Sequence, residues 1–118
     1  MKKKNKLSDF ELFKKEFIKW QTKFGLIGFT VYFKHEPIED GFADICINLE
    51  GMVATVRLNS ALQDKNKPFK HIKKSAKHEA IHLLIARLER IGRSRYTTAS
   101  EIDESSEELT IKLENLIS

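Results

Sequence analysis

This sequence has little of what staples a chain or anchors it in a membrane. It contains a single cysteine, Cys46, which excludes an intrachain disulfide. Cys46 lies in the strand-like run Asp44-Ile45-Cys46-Ile47-Asn48 and is expected to be a buried or half-buried thiol rather than a nucleophile. No apolar run approaches the roughly 18 residues of a membrane-spanning helix. The basic start is not followed by the apolar core of a secretory leader. The expected setting is cytoplasmic, with no membrane partner. Prolines number only two: Pro37 punctuates a loop and Pro68 suits the first turn of a helix. Neither an internal repeat nor a low-complexity segment occurs beyond the lysine-rich start.

What is present fits one domain, residues 1–118. A chain of 118 residues buries roughly two-thirds of its unfolded surface and folds without staples. Its 41% hydrophobic and 32% charged residues are an ordinary soluble balance. The net charge of +4 and pI near 9.2 raise the question of a nucleic-acid partner. Much of that excess, however, sits in Lys2, Lys3, Lys4 and Lys6, where a flexible basic tail over residues 1–7 accounts for it. A nucleic acid is therefore not the expected partner.

Hydrophobic spacing lays out the elements. Ser8 or Asp9 caps a helix to about Lys23, with Phe10, Phe13, Phe17 and Trp20 on one face. Phe29 to Lys34 alternates as a half-buried strand, and His35 to Gly41 is its loop. Strands at Phe42–Leu49 and Met52–Asn59 flank Glu50-Gly51 as an antiparallel hairpin. After a polar stretch from Ser60 to Lys67, a long helix runs from about Pro68 to Ile91. It is basic along Lys70, Lys73, Lys74 and Lys77, then apolar almost all round from Ala80 to Ala86, which predicts burial of that half and of its histidines. Ile81 is expected at an inward-facing position. A last helix starts between Thr98 and Ser105, where Ser105-Ser106-Glu107-Glu108 resembles a capping box, and carries Leu109, Leu113, Leu116 and Ile117 on one face. The expected fold is α+β: an N-terminal helix, a three-stranded antiparallel sheet, a buried helix and a C-terminal helix.

One stretch carries chemistry. His78-Glu79-Ala80-Ile81-His82 is His-Glu-x-x-His on the long helix. Positions i and i+4 lie one above the other, about 40° apart in projection, so His78 and His82 present two imidazoles to one metal ion. Glu79 leans toward the same cleft as general base. The motif and the helix–strands–helix–helix order resemble the zincin metallopeptidases, most of all the minimal single-domain zincins of phages and bacteria. The resemblance covers about Phe29 to Ile117, with the specificity in the five-residue motif.

That resemblance implies a zinc ion, an edge strand bordering the substrate cleft, and a third ligand on a further helix. The three-histidine metzincin branch is excluded, because Ile85 and Leu88 occupy its glycine and third-histidine positions and no histidine follows His82. What remains is a carboxylate, as in gluzincins, from Glu101, Asp103, Glu104, Glu107 and Glu108. Glu108, followed by Leu109, Leu113 and Leu116, matches the pattern best; Glu107 and Glu104 are the alternatives. Acidic residues in a helix's first turns also favour its dipole without any metal. Tyr96, Arg93 or Arg95 is a candidate oxyanion donor, and His71, seven residues before His78, a candidate cleft residue. His35 carries no clear signal.

The implied activity is zinc-dependent hydrolysis of a protein or peptide amide bond. Two imidazoles and one carboxylate leave a position for water, whose pKa zinc lowers toward about 7. The rival is a metal-stabilised binding module, an accessory protein contacting a protein or nucleic-acid partner. A purely structural zinc site has no use for Glu79 and usually takes four protein ligands.

Overall fold

Phe13 and Phe17, both fully buried, pack in one core with Ala54, Val56, Leu58, Ala76, Ala80 and Leu83. The computed structural model describes residues 8–61, 71–114 and 116. The lysine-rich start, Pro68, most of the polar stretch before it and Ile117 lie outside them.

The fold is α+β, with the order α1 (Asp9–Lys23), β1 (Thr30–Glu36), β2 (Ala43–Asn48), β3 (Val53–Asn59), α2 (Ile72–Arg93) and α3 (Ala99–Glu114). Ser8 caps α1 in a full capping box with Glu11. Gly25, at φ +73°, ends that helix in the left-handed conformation that lets Leu26 N–H reach Gln21 O. The buried Gln21 amide then donates to Leu26 O and Phe29 O, fixing the entry into β1.

The sheet is mixed rather than antiparallel throughout. β2 and β3 form the expected antiparallel hairpin, but β1 pairs parallel to β3, giving the order β1-β3-β2. The reason lies in residues 37–42. A tight turn would have forced β1 against β2, whereas this connection is long enough to carry the chain over the end of β3 and set β2 down on its far side. Asn59 holds the crossing: its side chain accepts from Ile38 N at 3.3 Å and donates to Gly41 O at 2.9 Å. β1 also runs two residues past its expected end, because His35 and Glu36 pair with Leu58 and Asn59.

Helices cover one face of the sheet. Ala54, Val56 and Leu58 are buried there, with Val31, Phe33, Ile45 and Ile47 beside them. The open face carries Tyr32, Lys34, Asp44 and Arg57, where Arg57 donates to Asp44 and Glu36. Cys46 also lies on this open side and is exposed, not buried, since its register places it opposite Thr55 rather than Val56. The hydrogen bonds from Asp44 and Glu36 hold the Arg57 guanidinium's pKa above its ordinary value.

Two helical expectations are corrected. Thr98, not Ser105, caps α3: Thr98 Oγ1 accepts from Glu101 N at 3.1 Å and Glu101 Oε1 accepts from Thr98 N at 3.0 Å. Ser105 lies inside the helix, 2% exposed. Nor is α2 buried all round past His78. Its buried stripe is Ile72, Ala76, Glu79, Ala80, Leu83, Leu84 and Ala86, while Ile81 is 38% exposed. The histidines lie at the margin of that stripe, His78 exposed and His82 half-buried.

Asn59→Ala leaves Ile38 N and Gly41 O without partners beside a buried strand end, and is expected to cost about 2 kcal/mol. A urea titration checks this. The midpoint should fall with an unchanged slope, and a midpoint equal to wild type would refute the clamp.

Candidate metal centre and cleft

The site is built on the rotational setting of α2. Ala76, Ala80 and Leu83 turn into the core, and successive residues are spaced 100° around the axis. Glu79 is thereby carried inward while His78 and His82 come to the rim. The two Nε2 atoms are 3.2 Å apart and the rings meet edge to face, with centroids 4.8 Å apart. Two nitrogens each about 2.0–2.1 Å from a tetrahedral zinc would be separated by about 3.3 Å. The pair therefore already has the spacing that two ligands of one ion need.

Glu79 is 6% exposed. Burial pushes its carboxyl up from the ordinary range; the charges of His78 and His82 pull it down by less, and Asp44 adds a small upward push. A carboxylate set this way is a better proton acceptor than one in water, which is the property a general base requires.

A cleft of about 350 Å³ opens beside it, lined by Phe42, Ala43, His71, Lys74, Ser75, His78 and Glu79. One wall is the first half of α2. The other is the start of β2, the outer strand of the sheet on that side. His71 lines this cleft as the sequence suggests. Phe42, Lys74 and Ser75 had no recognisable signal beyond their spacing: Lys74 and Ser75 precede His78 by four and three residues on the same helix.

The acidic helix is placed differently from expectation. Glu108 and Glu104 both accept from Arg87, each at 2.8 Å. Arg87 follows His82 by five residues, about 140° around the helix, so these carboxylates are gathered on another side of α2 from the imidazole pair. These hydrogen bonds raise the Arg87 pKa above its ordinary value. Glu107 is exposed on α3, Glu101 belongs to the Thr98 cap, and Asp103 is exposed. Among the described residues, no group of three His, Cys, Asp or Glu side chains comes together as a metal site. Tyr96 is 84% exposed, beside Arg95. They follow Arg93, the last residue of α2 and roughly 16 Å along the axis from His82, and none of the three lines the cleft. His35 stacks on Phe10, centroids 5.0 Å apart, away from the site.

Compared with protein-family models, curated proteins and solved structures, the chain matches none. The functional reading therefore rests on the motif and on this geometry.

The position of Glu79 makes a thermodynamic prediction. Its carboxyl holds a proton to higher pH folded than unfolded, so stability falls as pH rises from the ordinary carboxylate range through the raised value. In the presence of a chelator, Glu79→Gln should melt above wild type at pH 7, and the gap should narrow toward about pH 4. A variant that melts below wild type at pH 7 would contradict the assignment of a destabilising buried charge.

Proposed function

We propose that this protein is a minimal zinc-dependent metallopeptidase of the gluzincin type, hydrolysing an amide bond of a protein or peptide. The observation that carries the proposal is the pairing of two imidazole nitrogens 3.2 Å apart with a buried carboxylate, Glu79, that lines a cleft together with His78.

His78 and His82 are the metal ligands in this reading. Glu108 is the proposed third, with Glu107 and Glu104 as alternatives; Glu108 and Glu104 must each give up Arg87 to serve. Zinc held there would supply a Lewis acid and would lower the pKa of a bound water. Glu79 would be the general base, taking a proton from the attacking water and passing it to the departing amine. Its burial keeps competing water away and sets its basicity. Among the described residues β2 is an edge strand, and an extended peptide could lie along the cleft as a strand added to it. A cytoplasmic setting suits an exposed, unpaired Cys46.

A second reading is favoured by the Arg87 contacts. If Glu104 and Glu108 serve only to dock α3, the histidine pair either holds metal without turnover or holds none, and the domain is a binding module, with a protein or nucleic acid as partner. Zinc analysis and peptide hydrolysis separate the two. Wild type should bind one zinc and His78→Ala none, while Glu79→Gln should keep the metal and lose hydrolysis by about a hundredfold or more. Absence of zinc in wild type refutes the metal centre, and full activity in Glu79→Gln refutes the mechanism.

The third ligand has its own test. Of Glu108→Gln, Glu107→Gln and Glu104→Gln, the Glu108 variant should lose the most zinc affinity. Arg87→Gln should raise affinity by freeing that carboxylate. Unchanged affinity in all three carboxylate variants would remove α3 from the site.

A further inference from the structure

Positive charge is concentrated around the chain's one tryptophan, where α1 meets the first half of α2. Lys19 and Lys23 of α1 and Lys77 of α2 place their ammonium groups 5.2, 5.1 and 4.6 Å from the Trp20 ring centroid. Any two of them are thus within about 10 Å, one Debye length at 0.1 M salt. Lysine stems commonly lie along apolar surface with their heads splayed into water. Here three heads from two helices converge on one ring instead.

Glu16 lies beside this group. Its carboxylate accepts from Trp20 Nε1 at 3.0 Å and from Lys19 Nζ at 3.3 Å. Burial alone would raise its pKa, but those hydrogen bonds and the charges of Lys19 and Lys73 outweigh it and hold the group below its ordinary value. Glu16 is thus engaged by Lys19 and feels the charge of Lys73, while Lys23 and Lys77 approach the ring beside it, so the named groups carry more positive than negative charge.

We propose that this surface binds the phosphodiester backbone of a nucleic acid, without reading its bases. A duplex presents one negative charge per roughly 1.7 Å of axis, and a single strand one per roughly 3.4 Å, a fixed charge density that suits cations held this close together. Trp20 is not a base-stacking platform, because it is half-buried, its N–H is turned to Glu16 and ammonium groups lie over the ring. The same features remove it as a membrane-interface anchor, which needs a free indole edge. The lysine-rich start of the chain accounts for much of the net charge, yet this cluster lies on two packed helices and is fixed by them.

The only tryptophan is inside the proposed surface, so its fluorescence reports binding directly. The full chain is titrated with a random-sequence DNA duplex, a single strand of equal length, and poly-glutamate of matched charge. Trp20 emission should change with DNA, and log K should fall linearly with log salt. Lys23→Gln and Lys77→Gln should each reduce that slope by about one and weaken binding several-fold, with unchanged circular dichroism. Lys34→Gln, on the open face of the sheet, should leave both unchanged. Glu16→Gln should tighten binding. Equal affinity for poly-glutamate would point to an acidic protein partner and overturn the proposal. So would DNA binding that is insensitive to Lys23→Gln and Lys77→Gln, which would locate it in the lysine-rich start.

Discussion

The angle at which α2 is rotated about its own axis is the constraint on which the rest of this structure depends. Ala76 and Ala80 are fully buried and Leu83 nearly so, at spacings of four and three. Small side chains at the first two positions let α1, with Phe13 and Phe17, close against α2. Once that stripe is turned inward, the neighbouring positions have no freedom of their own. Glu79 precedes Ala80 and goes down with it, and His78 and His82 follow to the rim. A turn of α2 by one residue's angle in one sense would bury the imidazoles, and in the other would expose the carboxylate. The burial that raises the Glu79 pKa is thus a by-product of packing that the core requires for other reasons.

The sheet supplies the other half of the cleft, through an ordering that costs the chain a longer connection. Because β1 pairs with β3 instead of β2, the hairpin strand β2 is left at an edge, beside the first half of α2. Had the three strands been a simple meander, β3 would have taken the edge and β2 the centre. The Asn59 side chain therefore matters to the site although it is remote from the chemistry: it holds residues 37–42 across the end of β3 and so keeps Phe42 and Ala43 in the cleft wall.

What was legible in the sequence was local. The periodicity of Phe10, Phe13 and Phe17, the Glu50-Gly51 turn and the spacing of His78 and His82 each set an element or a pair without reference to distant residues. What was not legible depended on distant ones. Parallel pairing of β1 with β3 joins strands separated by the whole of β2, and no residue in β1 announces it. The run Ala80 to Ala86 is so apolar that its true inward stripe cannot be distinguished by hydrophobicity; only the core decided that Glu79 is buried while Ile81 is not. Likewise, Ser105-Ser106-Glu107-Glu108 has the composition of a cap, but Thr98 and Glu101 form the box earlier and Ser105 is left inside the helix. The capture of Glu104 and Glu108 by Arg87 is a tertiary contact with no sequence signature.

That capture bears on how firmly α3 is held. Arg87 and its two carboxylates are each 44% to 73% exposed, so each ion pair contributes at most about 1 kcal/mol after solvent screening. The packing of α3 adds less than that of α1: Leu109 is half-buried, but Ile102, Ile111 and Leu113 are exposed, whereas α1 buries Phe13 and Phe17 completely. A shift of α3 therefore costs less than moving α2 or β2 would. Glu79 is held by the core, whereas α3 is the helix with the least to lose by shifting.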